Sequence, residues 1–175
     1  MHRKGIVHRD IKPDNILLID SKDLSVCITD LGMACLFNDE EELKMKCGSP
    51  GYVAPEILKC KAATTKVDIF SLGSLFFNLI SGTSLYKGSS AKEVLKNNKY
   101  TNPIPTIENK LSGHVSRECV DILKLMVTPE PDQRPSAEQC LHHAWFAKDR
   151  EALDNSLMIN KNHHMLTNIL RNTPS

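Results

Sequence analysis

The longest apolar stretch of the chain, "VDIFSLGSLFFNLI", keeps to no single face of a helix. Val67, Ile69, Phe70, Leu72, Leu75, Phe76, Phe77, Leu79 and Ile80 cover every side of a helical wheel, which predicts a helix in the centre of a core. Thr64 or Thr65 can cap its start and Gly82 can end it. Ahead of it, "NILLI" and "LSVCIT" are short apolar or β-branched stretches separated by the turn formers "DSKD", a small hairpin whose second strand runs to Asp30. From "DLG" to "APE" neither period is sustained, and a long irregular segment is expected. Beyond the central helix, three start signals predict three more helices. These are Ser90 with Glu93, Ser116 before "CVDILKLMV", and Ser136 with Gln139 before "CLHHAWF", where Trp145 is expected in the core. "TNPIPTIENKLSG" and "TPEPDQRPS" read as proline-rich connectors, and the tail from Ala147 as a weakly amphipathic helix or a frayed end. The fold class is mainly α with a small β-hairpin.

Composition narrows the field. A chain of 175 residues, 41% of them hydrophobic, fits one globular domain. A formal net charge of +1 argues against a nucleic-acid-binding surface or a polybasic membrane anchor. The six cysteines form no CxxC pair and no zinc-like spacing with the seven histidines. His142/His143 and His163/His164 therefore read as ordinary helix residues. No leader-like apolar region opens the chain, and no run approaches the roughly 18 apolar residues of a membrane span, so a soluble, cytoplasmic protein in a reducing compartment is expected.

The candidate chemistry lies in "HRDIKPDN", residues 8–15, which crowds an imidazole, a guanidinium, two carboxylates, an ammonium and a carboxamide into one loop. An isolated charged octapeptide would read as a solvated surface. Here the hairpin that follows brings Asp30 back toward the loop. Asp10 can accept a hydroxyl's proton, Lys12 can balance charge on a migrating phosphoryl group, and Asn15 and Asp30 offer the hard oxygen ligands that Mg²⁺ prefers beside phosphates. Such a set suits in-line phosphoryl transfer, in which positioning and electrostatics supply nearly all the catalysis.

Over roughly residues 1–146 the sequence resembles the eukaryotic serine/threonine protein kinases. "HRDIKPDN" is similar to their catalytic loop, "DLG" stands where the family usually has DFG, and "APE" closes the activation segment. The resemblance implies the family's large, C-terminal lobe, with ATP and Mg²⁺ as cofactors and a protein Ser/Thr hydroxyl as acceptor. It implies that Asp10 is the catalytic base, Lys12 the phosphate-neutralising lysine, and Asn15 and Asp30 the metal ligands. Asp68, in "KVDIFSLG", would tie down the catalytic-loop backbone, and Arg134, in "PDQRPS", would pair with Glu56. "CGSPGYVAPE" is similar to the calcium/calmodulin-dependent group. Ser49 would keep the hydroxyl that bonds the catalytic aspartate and lysine, and Gly51 would fall where the substrate residue after the phosphoacceptor is received. His8 is expected in an internal apolar stack with Leu31. Arg9 would receive a phosphorylated activation-loop residue, yet the usual acceptor position holds Met45; the carboxylates of Asp39, Glu40, Glu41 and Glu42 stand in for phosphate, or no such pin is needed, or they form a solvated face.

The family's smaller lobe has no counterpart in these residues: no GxGxxG loop and no VAIK-like lysine precede the catalytic loop. An incomplete sequence is therefore expected, one that binds ATP poorly alone. The alternative is a catalytically inactive lobe that binds substrates or partners. In the calcium/calmodulin-dependent group a calmodulin-binding helix often follows the kinase domain, and such a target is markedly basic and amphipathic. Residues 147–175, with four basic and three acidic side chains, are expected to be either a calcium-sensor-regulated segment of weak character or a plain terminal extension.

Overall fold

The computed structural model describes residues 1–20 and 25–147 and divides the chain into two units, Met1–Leu141 and His142–Ser175. The first unit opens with a 3₁₀ turn, His2–Lys4, and a two-residue strand β1, Ile6–Val7. The expected hairpin follows, with β2 (Ile16–Asp20) antiparallel to β3 (Ser25–Ile28) and Ile16 facing Ile28. Its tip, residues 21–24, lies outside the described residues. The second strand stops at Ile28, short of the expected Asp30, because Asp30 adopts φ +58° and starts a 3₁₀ turn at Leu31–Met33. A second ladder pairs β1 with β4 (Cys35–Leu36); two-residue strands are too short for alternation to show in the sequence.

Within the segment expected to be irregular, Asp39 caps a short helix α1 (Glu40–Lys44), its carboxylate accepting from Glu42 N–H at 3.1 Å. Three glutamates in the first turn and Lys44 in the last complement the helix dipole. Helix α2 (Pro55–Leu58) closes the segment.

The central helix is α3, Lys66–Ser81. Thr64, rather than Thr65, supplies the side-chain bond at its start, accepting from Lys66 N–H at 3.3 Å, and Gly82 ends it with its N–H on the Asn78 carbonyl. Burial is not all-round as expected. Ile69, Phe70, Leu75 and Phe77 are buried, but Leu72 and Leu79 are 41% and 69% exposed, because the described elements pack on the other faces of the helix.

Helix α4 (Ala91–Tyr100) starts at Ser90, as its signal predicts. The connector that follows contains a helix, α5 (Ile104–Leu111). Its prolines hid it, yet Pro103 and Pro105 stand at the first turn, where a missing N–H costs nothing, and Ile107 and Leu111 are buried on one face. In α6 (Arg117–Met126), Cys119, Ile122, Leu123 and Met126 form the buried stripe that packs on α3. The reciprocal bonds of Ser136 and Gln139 start α7, which ends at Leu141 instead of running on through "HHAWF". In the second unit His143 Nδ1 accepts from Trp145 N–H and a separate short helix, α8 (Ala144–Ala147), follows. Trp145 is only partly buried, edge-on to Phe146, rather than in the core. Residues 148–175, and with them His163, His164 and most of the tail, lie outside the described residues.

Helices α3 and α6 approach closely at Gly73, where an added Cβ would lie 2.7 Å from Val127 Cγ1 and 2.8 Å from Met126 Cβ. Gly73→Ala should therefore lower the thermal midpoint. The helix gains about 1 kcal/mol from losing a glycine, but overpacking a closed core costs about 1–3 kcal/mol, and both neighbours are buried. A raised midpoint in calorimetry would contradict this packing.

Apolar surface is not confined to the core. Leu17, Leu18, Ile19, Val26 and Ile28 of the hairpin are all more than two-fifths exposed, as are Leu31, Met33, Leu36 and Phe37. Leu31 is likewise exposed and not packed inside with the buried His8. A two-stranded hairpin is marginal by itself in water, and an apolar patch of this extent marks an interaction surface.

Candidate active site

The loop after β1 is held in a tight turn by one carboxylate of α3. Asp68 accepts the backbone N–H groups of His8 (2.9 Å) and Arg9 (2.8 Å), and His2 Nε2 meets the same carboxylate at 2.8 Å. Arg9 has φ +67°, a conformation that costs a non-glycine residue about 1 kcal/mol or more, so these anchors hold a strained turn. His8 is fully buried. Its Nε2 lies 3.0 Å from the Thr29 carbonyl and its Nδ1 accepts from Asp10 N–H at 3.3 Å, which places the ring proton on Nε2.

Three side chains then converge on Asp10. Ser49 Oγ donates to one carboxylate oxygen at 2.7 Å; Lys12 Nζ, at 2.7 Å, and Asn15 Nδ2, at 3.2 Å, donate to the other. Lys12 also bonds Ser49 Oγ at 3.1 Å, and Asn15 Nδ2 bonds the Asp10 carbonyl at 2.8 Å. Burial pushes the Asp10 carboxyl up, but the hydrogen bonds from Lys12, Ser49 and Asn15 and the Lys12 charge outweigh it and hold the group below its ordinary value. The bond to Asp10 raises Lys12 in turn, against partial desolvation, with the charges of Asp14 and Asp30 adding to the effect.

Asp30 follows the hairpin, whose ends are tied by Thr29 N–H on the Asn15 carbonyl at 2.9 Å. It is exposed, and one of its oxygens accepts from Gly32 N–H at 3.1 Å. With Asn15 Nδ2 turned to Asp10, the Asn15 amide oxygen and the second Asp30 oxygen are hard donors on the loop and hairpin sides. Two protein oxygens suit Mg²⁺, which keeps its remaining positions for water and phosphate.

Arg9 is brought together with one of the four acidic residues considered. Its guanidinium donates to the Glu42 carboxylate at 2.8 Å, to the Glu42 carbonyl, and to the Met33 carbonyl at 2.5 Å. Farther along, Glu56 and Arg134 form a two-pronged pair at 2.7 and 2.8 Å, both side chains almost wholly buried. The other Arg134 N–H groups reach the carbonyls of Thr128, Lys66 and Pro129, so all five donors are used, and the guanidinium lies 4.8 Å from the Phe70 ring centroid.

Several residues around Gly51 escaped the sequence reading. The carbonyls of Gly51, Tyr52 and Val53 accept from Ser74 Oγ (2.6 Å), Ser71 Oγ (2.9 Å) and Asn98 Nδ2 (2.9 Å), and Asn98 Oδ1 accepts from Gly51 N–H at 2.7 Å. The only signal was a polar residue at positions 71, 74 and 98 where the helices turn inward. His2, on Asp68, gave none.

Residues 1–146 match the protein kinase domain family, and the chain belongs to it. It is 42% identical over 147 residues to a probable serine/threonine-protein kinase 2 of Plasmodium falciparum, covering 83% of this chain and 28% of that protein. It is 34% identical over 146 residues to the skeletal/cardiac muscle myosin light chain kinase 2 of Rattus norvegicus, covering 83% and 24%. Against the calcium-dependent protein kinase 3 of Plasmodium berghei it is 35% identical over 173 residues, covering 96% and 30%. The chain thus spans less than a third of the length of each of these relatives. Among the described residues, no helix is long and apolar enough to cross a membrane.

Proposed function

We propose that residues 1–146 form the large lobe of a serine/threonine protein kinase that transfers the γ-phosphoryl group of ATP to a protein hydroxyl. The convergence of Lys12, Asn15 and Ser49 on the Asp10 carboxylate carries this reading. Asp10 orients the acceptor hydroxyl. Held below its ordinary pKa, it is a weak base, so it takes the proton late, once bonding to phosphorus has made the hydroxyl acidic. Lys12 stays an ammonium and neutralises charge on the phosphoryl oxygens. Mg²⁺, when bound with ATP, supplies further charge neutralisation at the phosphates, and the Asn15 amide oxygen and Asp30 carboxylate are the groups that would hold it. Asp68 positions the loop, Glu56 and Arg134 brace the end of the activation segment, and Glu42 occupies Arg9.

The exposed apolar side chains of β2, β3 and the Leu31–Phe37 stretch are where we place contacts with the family's smaller lobe, which would complete the nucleotide site. The same exposed side chains favour a second reading, a partner-binding module without transferase activity. The names of the myosin light chain and calcium-dependent relatives suggest calmodulin or another calcium sensor as a regulator, with residues 147–175 as the segment to test.

The deciding assay uses the natural full-length protein with Mg²⁺, γ-labelled ATP and casein. Label is expected on casein serine and threonine. Label on tyrosine alone, or none above a protein-free control, would overturn the kinase reading, and absence of label would leave the binding module.

A further inference from the structure

We infer that Asn98 is a positioning residue for the protein substrate: its buried carboxamide, with the Ser71 and Ser74 hydroxyls, sets the backbone of Gly51–Val53 beside the acceptor site. This rests on the kinase reading above. Ser49 Oγ is 2.7 Å from Asp10, so the backbone immediately after it is the surface that residues flanking an incoming hydroxyl must cross. That backbone belongs to no sheet, and side chains supply what a neighbouring strand would. Three successive carbonyls take donors from Ser74, Ser71 and Asn98, while the Gly51 N–H goes to the other end of Asn98.

Asn98 is fully buried and uses both ends of its amide within this one segment. Gly51 itself has φ +90°, yet a Cβ there would meet nothing nearer than Val94 at 3.9 Å; the backbone angle, not space, calls for glycine. The clamped segment forms one wall of a cavity of about 130 Å³ that Ser74, Leu85, Tyr86 and Val94 also line. Removing the carboxamide leaves a buried N–H and a buried carbonyl unpaired, and the wall must move to find water.

The test compares Asn98→Ala with the wild-type full-length protein and with Lys96→Ala on the exposed side of α4. The KM for casein should rise roughly tenfold, with kcat and the KM for ATP held within about twofold. Amide hydrogen exchange at Gly51–Val53 should quicken by at least roughly tenfold, and Lys96→Ala should change neither. A fall in kcat with the casein KM unchanged would mean a merely structural role and would overturn the inference, as would unaltered exchange at these amides. Should Asn98→Ala fail to fold, Ser74→Ala removes only the donor to the Gly51 carbonyl and must move the casein KM in the same direction, or the inference falls. A wild type that transfers no phosphoryl group overturns the kinase reading instead. Casein affinity, measured by anisotropy, then takes the place of KM, and equal affinity for wild type and Asn98→Ala counts against Asn98.

Discussion

Asp10→Asn should lower kcat for casein phosphorylation by about 10²–10⁴-fold, the usual contribution of a positioned base, and leave the fold intact. The side chains are nearly isosteric, and asparagine can still accept one bond from Ser49 or Lys12. What it loses is the charge that draws Lys12 and Ser49 inward and the capacity to take a proton. Because the hydroxyl, not the nucleotide, meets this group, the KM for ATP should barely change. Equal turnover in the two proteins would dismiss Asp10 as the base. The sign of the pH effect follows from the same contacts. The folded pKa lies below the ordinary 3.8, so Asp10 contributes stability that is fully present above that value and lost as pH falls through the lower, folded one. No acid limb above about pH 4 should trace to this residue.

Arg134→Ala should be the most damaging single change to stability, at about 3–5 kcal/mol. Domains of this kind hold only about 5–15 kcal/mol in total. The loss is large because Glu56 would remain almost wholly buried with no counter-charge and three backbone carbonyls would lose their donor. Urea titration of wild type, Arg134→Ala and the double variant Arg134→Met/Glu56→Leu separates the causes. Removing both charges should cost less than removing one. If the double variant is the weaker, the pair itself, and not the stranded carboxylate, carries the energy.

How far the sequence reached depended on whether a signal was local. The start signals at Ser90, Ser116 and Ser136 each lie within four residues, and each hydroxyl accepts the N–H three residues on at a helix start, with a full reciprocal pair only at Ser136 and Gln139. Helix α5 was hidden by the prolines that begin it, and α1 and the β1–β4 ladder are shorter than one period of any pattern. The extent of α3 was legible, but which of its faces stay covered depends on neighbours distant in sequence, and Leu79 shows the difference. At the site, Asp10, Lys12 and Asn15 lie in one octapeptide and could be read together. Ser49, 39 positions from Asp10, became visible through the family pattern. Asn98, Ser71 and Ser74 fall in no motif, and only folding brings them to Gly51.

The pairing of Arg9 with Glu42 bears on how such a protein would be switched. Only Ser49 and Tyr52 carry hydroxyls between Asp30 and Glu56, and Ser49 is engaged with Asp10 and Lys12. A phosphate arriving at Arg9 would have to evict a carboxylate already seated there. On the kinase reading, we propose that the Glu42 carboxylate supplies at Arg9 the charge a phosphorylated residue would otherwise bring, a charge in place from translation onward that needs no second enzyme.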